Sequence, residues 1–231
     1  MKRFYQTASA RAEAGGFGVA LDGKPMRSPA AKPFLLPTSS LAQAVAAEWQ
    51  AQGDRIKPAS MPLMQLAATA IDRVAEAPQA TAANVAGFAA TDLLCYRAEV
   101  PTSLVERQEQ LWQPLVDWAR LHYDAPLLVV TGVMPRPQPP EALRAIEAAV
   151  AALDPFRLTA LASATGAAGS VILGLALLEG RLSGTEVYDL SLLDETYQIE
   201  RWGVDPEAAR RQADLKTEIE AAERFLALLS A

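Results

Sequence analysis

The spacing of apolar residues changes near residue 38 and predicts helices for most of the chain. Leu41, Val45 and Trp49 recur four residues apart, which places them on one face of a helix. A second helix is expected to open at Ser60-Met61-Pro62, because proline is favoured at the first helical position. Further on, Val171–Leu178 is apolar on every side, which predicts a buried central helix.

The first 37 residues follow a different pattern, that of short extended segments separated by turns. Asp22-Gly23 separates residues 17–21 from residues 24–28, and Asp-Gly between extended runs favours a type I′ hairpin because both residues accept positive φ. Several prolines in this region exclude long helices. The sequence therefore predicts an α+β fold. We expect a small antiparallel β-sheet and one helix in residues 1–60, and a mostly helical domain of orthogonal bundle type in residues 61–231.

Local signals add three expectations about helix ends. Ser40 with Gln43, and Ser183 with Glu186, match the capping-box pattern, in which two side chains three residues apart accept hydrogen bonds from the first backbone N–H groups of a helix. Pro114 lies within a later helical stretch and is expected to kink or divide that helix.

Composition and charge exclude several classes of protein. The 231 residues are 51% apolar and carry a formal charge of −6, which argues against nucleic acid as a partner and gives no reason to bind an anionic membrane. The longest apolar run, Val171–Leu178, is shorter than the ~20 residues of a membrane span, so no membrane insertion is expected. With one cysteine and no apolar stretch after the first five residues, we expect a cytoplasmic protein without a secretory signal.

Most motif tests for enzyme chemistry fail. Residues 18–24 match the start of the P-loop pattern, but Pro25 stands where a Ser or Thr must hold magnesium, so no nucleotide is expected. No residues have zinc-ligand spacing and no nucleophile elbow is present, so we expect no metal, no cofactor and no catalytic residue. Cys95 is expected to be a buried, inert thiol, and His122 a residue at a helix end.

Acidic residues beside apolar positions leave one route to catalysis open. In a helix, Asp92 lies four residues from both Phe88 and Tyr96, so it points toward an apolar face, and Asp72 has a similar position. Such acids could act as general acids or bases. The interpretation that we favour is structural: these carboxylates cap neighbouring helices or pair with arginines.

Residues 193–203 combine three acids, an arginine and two large aromatics at a helix end closed by Gly203. This mixture is typical either of an acidic site in a partly buried cleft or of a recognition surface for another protein. Trp202 in this segment, and Trp49 at the end of an earlier helix, lie beside acids or glutamines. A half-exposed aromatic in such a place can anchor an interface.

Six short blocks occur in an order and spacing that resemble one protein family. They are Lys2-Arg3-Phe4-Tyr5, Leu21-Asp22-Gly23-Lys24-Pro25, Glu48-Trp49-Gln50-Ala51-Gln52, Met61-Pro62-Leu63, Thr91-Asp92-Leu93-Leu94-Cys95-Tyr96-Arg97 and Gln198-Ile199-Glu200-Arg201-Trp202-Gly203. Together they resemble the ATP synthase assembly chaperones that attend the alpha subunit of the F1-ATPase. The likeness covers nearly the whole chain.

The resemblance implies a chaperone rather than an enzyme. It implies binding to unassembled alpha subunit, whose exposed apolar interface is prone to aggregate, until the beta subunit takes the chaperone's place. It also implies that ATP is not used, in agreement with the incomplete P-loop. A bacterial member in the cytoplasm is expected, with eukaryotic relatives in the mitochondrial matrix.

The resemblance also indicates residues that contact the client. Glu195 matches an acid in the C-terminal block of the family, and Glu200 and Trp202 lie close to it in sequence. The full set of candidate partner-binding residues is Glu195, Glu200, Trp202, Tyr197, Trp49, Asp92 and Asp72. A structural role stays open for Trp49. Two other functions also stay open: a carboxylate-dependent enzyme with its site between the two domains, and a helical adaptor for another protein.

Overall fold

The computed structural model describes residues 1–132, 134, 136–203 and 206–230. Within these ranges the α+β prediction is confirmed: short strands near the N-terminus precede a long series of helices. In chain order the elements are β1 (Ala8–Glu13), β2 (Gly16–Leu21), β3 (Lys24–Pro25), α1 (Ser39–Gln50), α2 (Pro62–Thr69), α3 (Pro78–Gly87), β4 (Tyr96–Arg97), α4 (Thr102–Tyr123), β5 (Val130–Thr131), α5 (Pro140–Ala151), α6 (Pro155–Ala168), α7 (Val171–Leu178), α8 (Gly184–Ser191), α9 (Leu193–Trp202) and α10 (Pro206–Leu229).

The N-terminal sheet is antiparallel, with strand order β1-β2-β3. Its register pairs Ala8 with Leu21 at one end and Glu13 with Gly16 at the other. Asp22 and Gly23 join β2 to β3, and their φ angles of 49° and 76° are both positive. The Asp-Gly signal therefore predicted the hairpin and its turn type correctly.

Spatial proximity groups the chain into two compact units. The first contains residues 1–78, 154–160 and 221–231, and the second contains residues 79–153 and 161–220. Both α6 and α10 therefore contribute to each unit. The sequence-based division between residues 60 and 61 stays a prediction about domains.

In the first unit, α1 packs on β1 and β2. Fully buried apolar side chains, including Val19, Leu36, Leu41 and Leu63, form its core. The Thr38 hydroxyl accepts a hydrogen bond from the N–H of Leu41 at 3.2 Å and thus caps α1. The predicted capping box at Ser40 is therefore wrong, because the helix has already begun at Ser39 and Ser40 lies inside its first turn.

In the second unit, α7 is the central helix, as its apolar sequence predicted. Every residue from Val171 to Leu177 is buried, and the helix packs against α4 and α8. Trp112 of α4 is fully buried as well. Strands β4 and β5 form a parallel pair of two residues each. Among the described residues, no helix is long and apolar enough to cross a membrane.

Two predictions about helices in the second unit can be refined. Pro114 does not divide α4, which continues through it from Thr102 to Tyr123, and the alternative of a kink stays a prediction. The helix that was expected to carry Asp92 on one face with Phe88 and Tyr96 ends at Gly87. Two short 3-10 turns follow, so the four-residue spacing around Asp92 is not helical.

Candidate functional site

The segment 193–203 forms α9, which follows α8 after Leu192 and ends at Gly203. The preceding helix, α8, begins with a capping box: the Ser183 hydroxyl accepts from the N–H of Glu186 at 3.3 Å, and the Glu186 carboxylate accepts from the N–H of Ser183 at 2.7 Å. At the other end of α9, Gly203 has a φ of 88° and its N–H donates to the Ile199 carbonyl. Both boundary signals were predicted correctly.

An exposed ion pair and an aromatic ring connect α9 to α4. Arg107 donates to both carboxylate oxygens of Glu200, at 3.0 and 3.1 Å, in a bidentate pair. The Tyr197 hydroxyl lies 2.6 Å from the Ser103 hydroxyl. The guanidinium of Arg201 lies 3.8 Å from the centre of the Tyr197 ring, at cation–π distance.

A second, more buried set of polar contacts lies beneath this pair. The Gln108 side chain donates to Asp194 at 2.7 Å and accepts from the N–H of Ala98 at 2.8 Å. Arg97 donates to the Gln108 carbonyl at 2.7 Å. Burial raises the pKa of the Asp194 carboxyl, and the hydrogen bond from Gln108 and the charge of Arg97 oppose that effect. Sequence reasoning noted Asp194 in the acidic segment but missed Gln108, whose partner is 86 residues away.

The three acids of α9 point in different directions. Glu195 accepts from Arg211 and, at 3.2 Å, from Gln212, both on α10. Glu200 faces α4 and Asp194 lies beneath it. The structure therefore does not bring Glu195 and Glu200 together, and the client-binding role of Glu195 stays a prediction.

Trp202 is the aromatic residue of this segment that is free to meet a partner. Its side chain is 78% exposed at the C-terminal end of α9. Tyr197 is only 5% exposed, because it is covered by the contacts with Ser103 and Arg201. Tyr197 thus fixes α9 on α4, and the prediction that it binds a partner has no exposed surface to support it.

Trp49 lies in the first unit and is 6% exposed, so the expectation of a half-exposed aromatic there is wrong. Its ring packs edge-on against Tyr5, with the centroids 5.6 Å apart. The Tyr5 hydroxyl donates to the Trp49 carbonyl at 2.7 Å. These contacts support a structural role for Trp49, as part of the core of the first unit.

The carboxylates of Asp72 and Asp92 are both occupied by the fold. Asp72, in the first unit, accepts from the N–H of Ala30 at 2.9 Å and from the Ser28 hydroxyl. Asp92, in the second unit, is fully buried and accepts from Ser170, from the N–H of Leu94 and from the N–H of Ile172, at 2.8 to 3.1 Å. The predicted role as a cap of a neighbouring helix fits Asp92, which contacts the N-terminus of α7. Asp72 is held in a structural contact of another kind, since its partners Ser28 and Ala30 lie in a turn.

The second unit also contains an open groove with a volume of about 540 Å³, between α4 on one side and α8 and α9 on the other. Its apolar lining consists of Leu111, Pro114, Leu115, Leu182, Leu190 and Leu193. Glu200 is the one residue of the predicted partner-binding set that lines it. The sequence placed Leu111 and Leu115 on a core-facing side of α4 and gave no sign of the groove.

Cys95 is buried, and its surroundings make the thiol unreactive. No group of three or more His, Cys, Asp or Glu side chains that could hold a metal ion is found in the described ranges. Burial raises the pKa of the Cys95 thiol to about 12, and the charge of Asp92 adds to that effect. Because the thiolate is the nucleophilic form, this thiol is inert at neutral pH.

Comparisons with known proteins agree on one family. The family described as ATP12 chaperone protein matches residues 2–120. The mitochondrial protein atp12 of Schizosaccharomyces pombe is 25% identical over 214 residues, which cover 87% of this chain and 74% of the relative.

Solved structures extend the match to the whole fold. The crystal structure of Atp12 from Paracoccus denitrificans is 44% identical, with a TM-score of 0.94 over 99% of this chain and 98% of that one. The Atu1473 protein of Agrobacterium tumefaciens is 42% identical, with the same TM-score over 99% and 86% of the two chains. The matching family is described as a chaperone family, and the Agrobacterium protein is described as a chaperone too, so the carboxylate-dependent enzyme is no longer a competing interpretation. The chain belongs to the ATP12 family of chaperones, which assist the assembly of the ATP synthase.

Proposed function

We propose that this protein binds the unassembled alpha subunit of the F1-ATPase and keeps it soluble until the beta subunit replaces it. The observation that carries the proposal is membership of an ATP synthase assembly chaperone family over the whole fold. A subunit that has not yet met its neighbours exposes apolar interface, which is prone to aggregate. On this proposal the protein works where alpha subunits are made, which in a bacterium is the cytoplasm.

The face formed by α4 and α9 is the client-binding surface in this proposal. Trp202 offers a large exposed aromatic, and tryptophan is among the residues most often found to dominate binding energy at interfaces. The exposed pair between Arg107 and Glu200 joins α4 to α9 and adds polar groups that a partner can reach. A surface of this mixed kind suits a partner that must later be released, because moderate affinity goes with a partly polar interface.

Co-purification with separately expressed alpha and beta subunits tests the proposal. The expected result is a soluble complex with alpha on a sizing column, no complex with beta, and loss of the alpha complex when beta is added. Binding to beta instead, or no complex with alpha from well-folded protein, would contradict the proposal. Capture of an unrelated protein in place of alpha would support the adaptor alternative.

A pair of matched variants tests whether Trp202 takes part. Trp202→Ala removes an apolar side chain that is 78% exposed, and Leu121→Ala removes one that is 79% exposed near the end of α4. Because both side chains are exposed, neither change should alter the free energy of unfolding by more than about 0.5 kcal/mol. We expect Trp202→Ala to weaken binding of alpha at least about tenfold and Leu121→Ala to leave it unchanged. Equal binding by both variants would remove Trp202 from the surface.

A further inference from the structure

The groove between α4, α8 and α9 has an apolar floor that is partly open to solvent. Leu115 and Leu193 are buried beneath it, whereas Leu111 is 46% exposed within it. Its volume of about 540 Å³ lies within the usual range for pockets that enclose a ligand or a few side chains. The groove therefore suits apolar side chains presented by a partner.

The rim of the groove is acidic. Glu186, Asp189 and Glu200 line it, against the single guanidinium of Arg107. Arg107 is already paired with Glu200. The carboxylate of Asp189 has no hydrogen bond or ion pair with the other described residues. The hydrogen bonds from Ser183 lower the pKa of Glu186, so this carboxylate is ionised at neutral pH. The groove thus presents excess negative charge around an apolar floor.

We infer that this groove binds an amphipathic segment of the client, with Leu-like side chains on the floor and one or more Lys or Arg side chains against Asp189 and the neighbouring rim. The apolar floor excludes a segment that is polar throughout, and the rim disfavours an acidic one. The identification of the client as the alpha subunit rests on the proposed function, whereas the chemistry of the segment rests on the groove alone.

Model peptides test the chemistry without the client. Two labelled amphipathic peptides of about 15 residues, one of Leu and Lys and one of Leu and Glu, present the same apolar face with opposite charge. The full-length protein is expected to bind the Leu/Lys peptide at least about tenfold more tightly, by fluorescence anisotropy. Equal binding of both peptides, or binding of neither, would overturn the inference.

Matched variants test the position. Leu111→Asp places a charge on the floor, and Leu121→Asp places the same charge on the same helix outside the groove. Asp189→Lys reverses a charge on the rim, with Asp117→Lys as its control on α4. The groove variants should lose at least about tenfold in affinity for the Leu/Lys peptide and the controls should not. Far-ultraviolet circular dichroism and urea unfolding show that each variant is folded.

The same variants, assayed with purified alpha subunit, separate the two proposals. If wild type binds alpha and Leu111→Asp does not, both proposals hold. If Leu111→Asp binds alpha and the Leu/Lys peptide as well as wild type does, the groove is not the docking site and the proposed function stands. If the Leu/Lys peptide binds in the groove but alpha does not bind wild type, the inference about the groove stands and the proposed client is wrong.

Discussion

Replacement of Asp92 by asparagine should change the stability of this protein in a way that depends on pH. Asp92 is fully buried in the second unit and bridges the turn before β4 to the start of α7. Burial raises the pKa of its carboxyl from 3.8 to about 6, although hydrogen bonds from Ser170, Ile172 and Leu94 lower it. The folded protein therefore binds a proton at this site more tightly than the unfolded chain does.

The size of the effect follows from the two pKa values. Between pH 3.8 and about 6 the folded state holds more protons than the unfolded state, so stability falls as pH rises through this window. At 1.36 kcal/mol per pH unit, the ionised carboxylate costs the fold about 3 kcal/mol above pH 6, of which about 1 kcal/mol is already lost by about pH 4.5. Asparagine does not ionise and removes this pH dependence.

Asparagine also loses a hydrogen bond. One carboxylate oxygen accepts from Ser170 and Leu94, and the other accepts from the N–H of Ile172. The amide oxygen of asparagine can still accept from Ser170 and Leu94. Its NH₂ group then lies against the N–H of Ile172, and two donors cannot form a hydrogen bond with each other. An unsatisfied buried donor costs about 1–3 kcal/mol, and this cost does not depend on pH. Asp92→Asn should therefore be about 0–2 kcal/mol more stable than wild type at about pH 8 and about 0–2 kcal/mol less stable at about pH 4.5, a change of about 2 kcal/mol between the two pH values.

Urea unfolding followed by tryptophan fluorescence measures this difference. Wild type and Asp92→Asn are compared at about pH 4.5 and about pH 8, together with Asp117→Asn as a half-exposed control on α4. The comparison of variants at each pH cancels the titration of all other groups. A difference between Asp92→Asn and wild type that is the same at both pH values would refute the reasoning, as would an equal pH dependence in the control.

Three further changes test other parts of the structure, each by urea unfolding. Ser183→Ala removes the cap of α8 and should lower the free energy of unfolding by about 1 kcal/mol, and no loss would mean that the capping box contributes nothing. Trp112→Ala should lower the free energy of unfolding by about 3–5 kcal/mol, because the side chain is fully buried and donates to the Leu190 carbonyl at 3.0 Å. A loss below about 1 kcal/mol would contradict this packing. Glu195→Gln breaks an exposed pair with Arg211 and should cost less than about 1 kcal/mol, so a loss of alpha-subunit binding in that variant would report on the interface rather than on folding.

The parts of the fold that the sequence predicted are those set by local physics. The Asp22-Gly23 hairpin, the capping box at Ser183 and the end of α9 at Gly203 each depend on a few adjacent residues and their backbone angles. The burial of α7 follows from composition alone, since a helix that is apolar on all sides must be covered.

The failures arise where two local signals compete or where tertiary contacts decide. Thr38 and Ser40 are both good caps, and the structure uses the earlier one. The spacing around Asp92 resembled a helical face, but the chain leaves the α-helix at Gly87. Trp49 lies at a helix end, where exposure is common, yet its ring is buried and packs against Tyr5, which lies 44 positions earlier in the chain.

The candidate site shows why an acidic segment cannot be assigned a single role from its sequence. Neighbouring residues of a helix point about 100° apart, so Asp194 and Glu195 must face different surroundings. Asp194 meets Gln108 in a half-buried position, Glu195 pairs with α10, and Glu200 pairs with Arg107 at the edge of the groove. The first contact stabilises the fold and the third is open to a partner. Substitutions along this one helix will therefore mix effects on folding with effects on binding, and only a stability measurement beside each binding measurement can assign a given acid to one or the other.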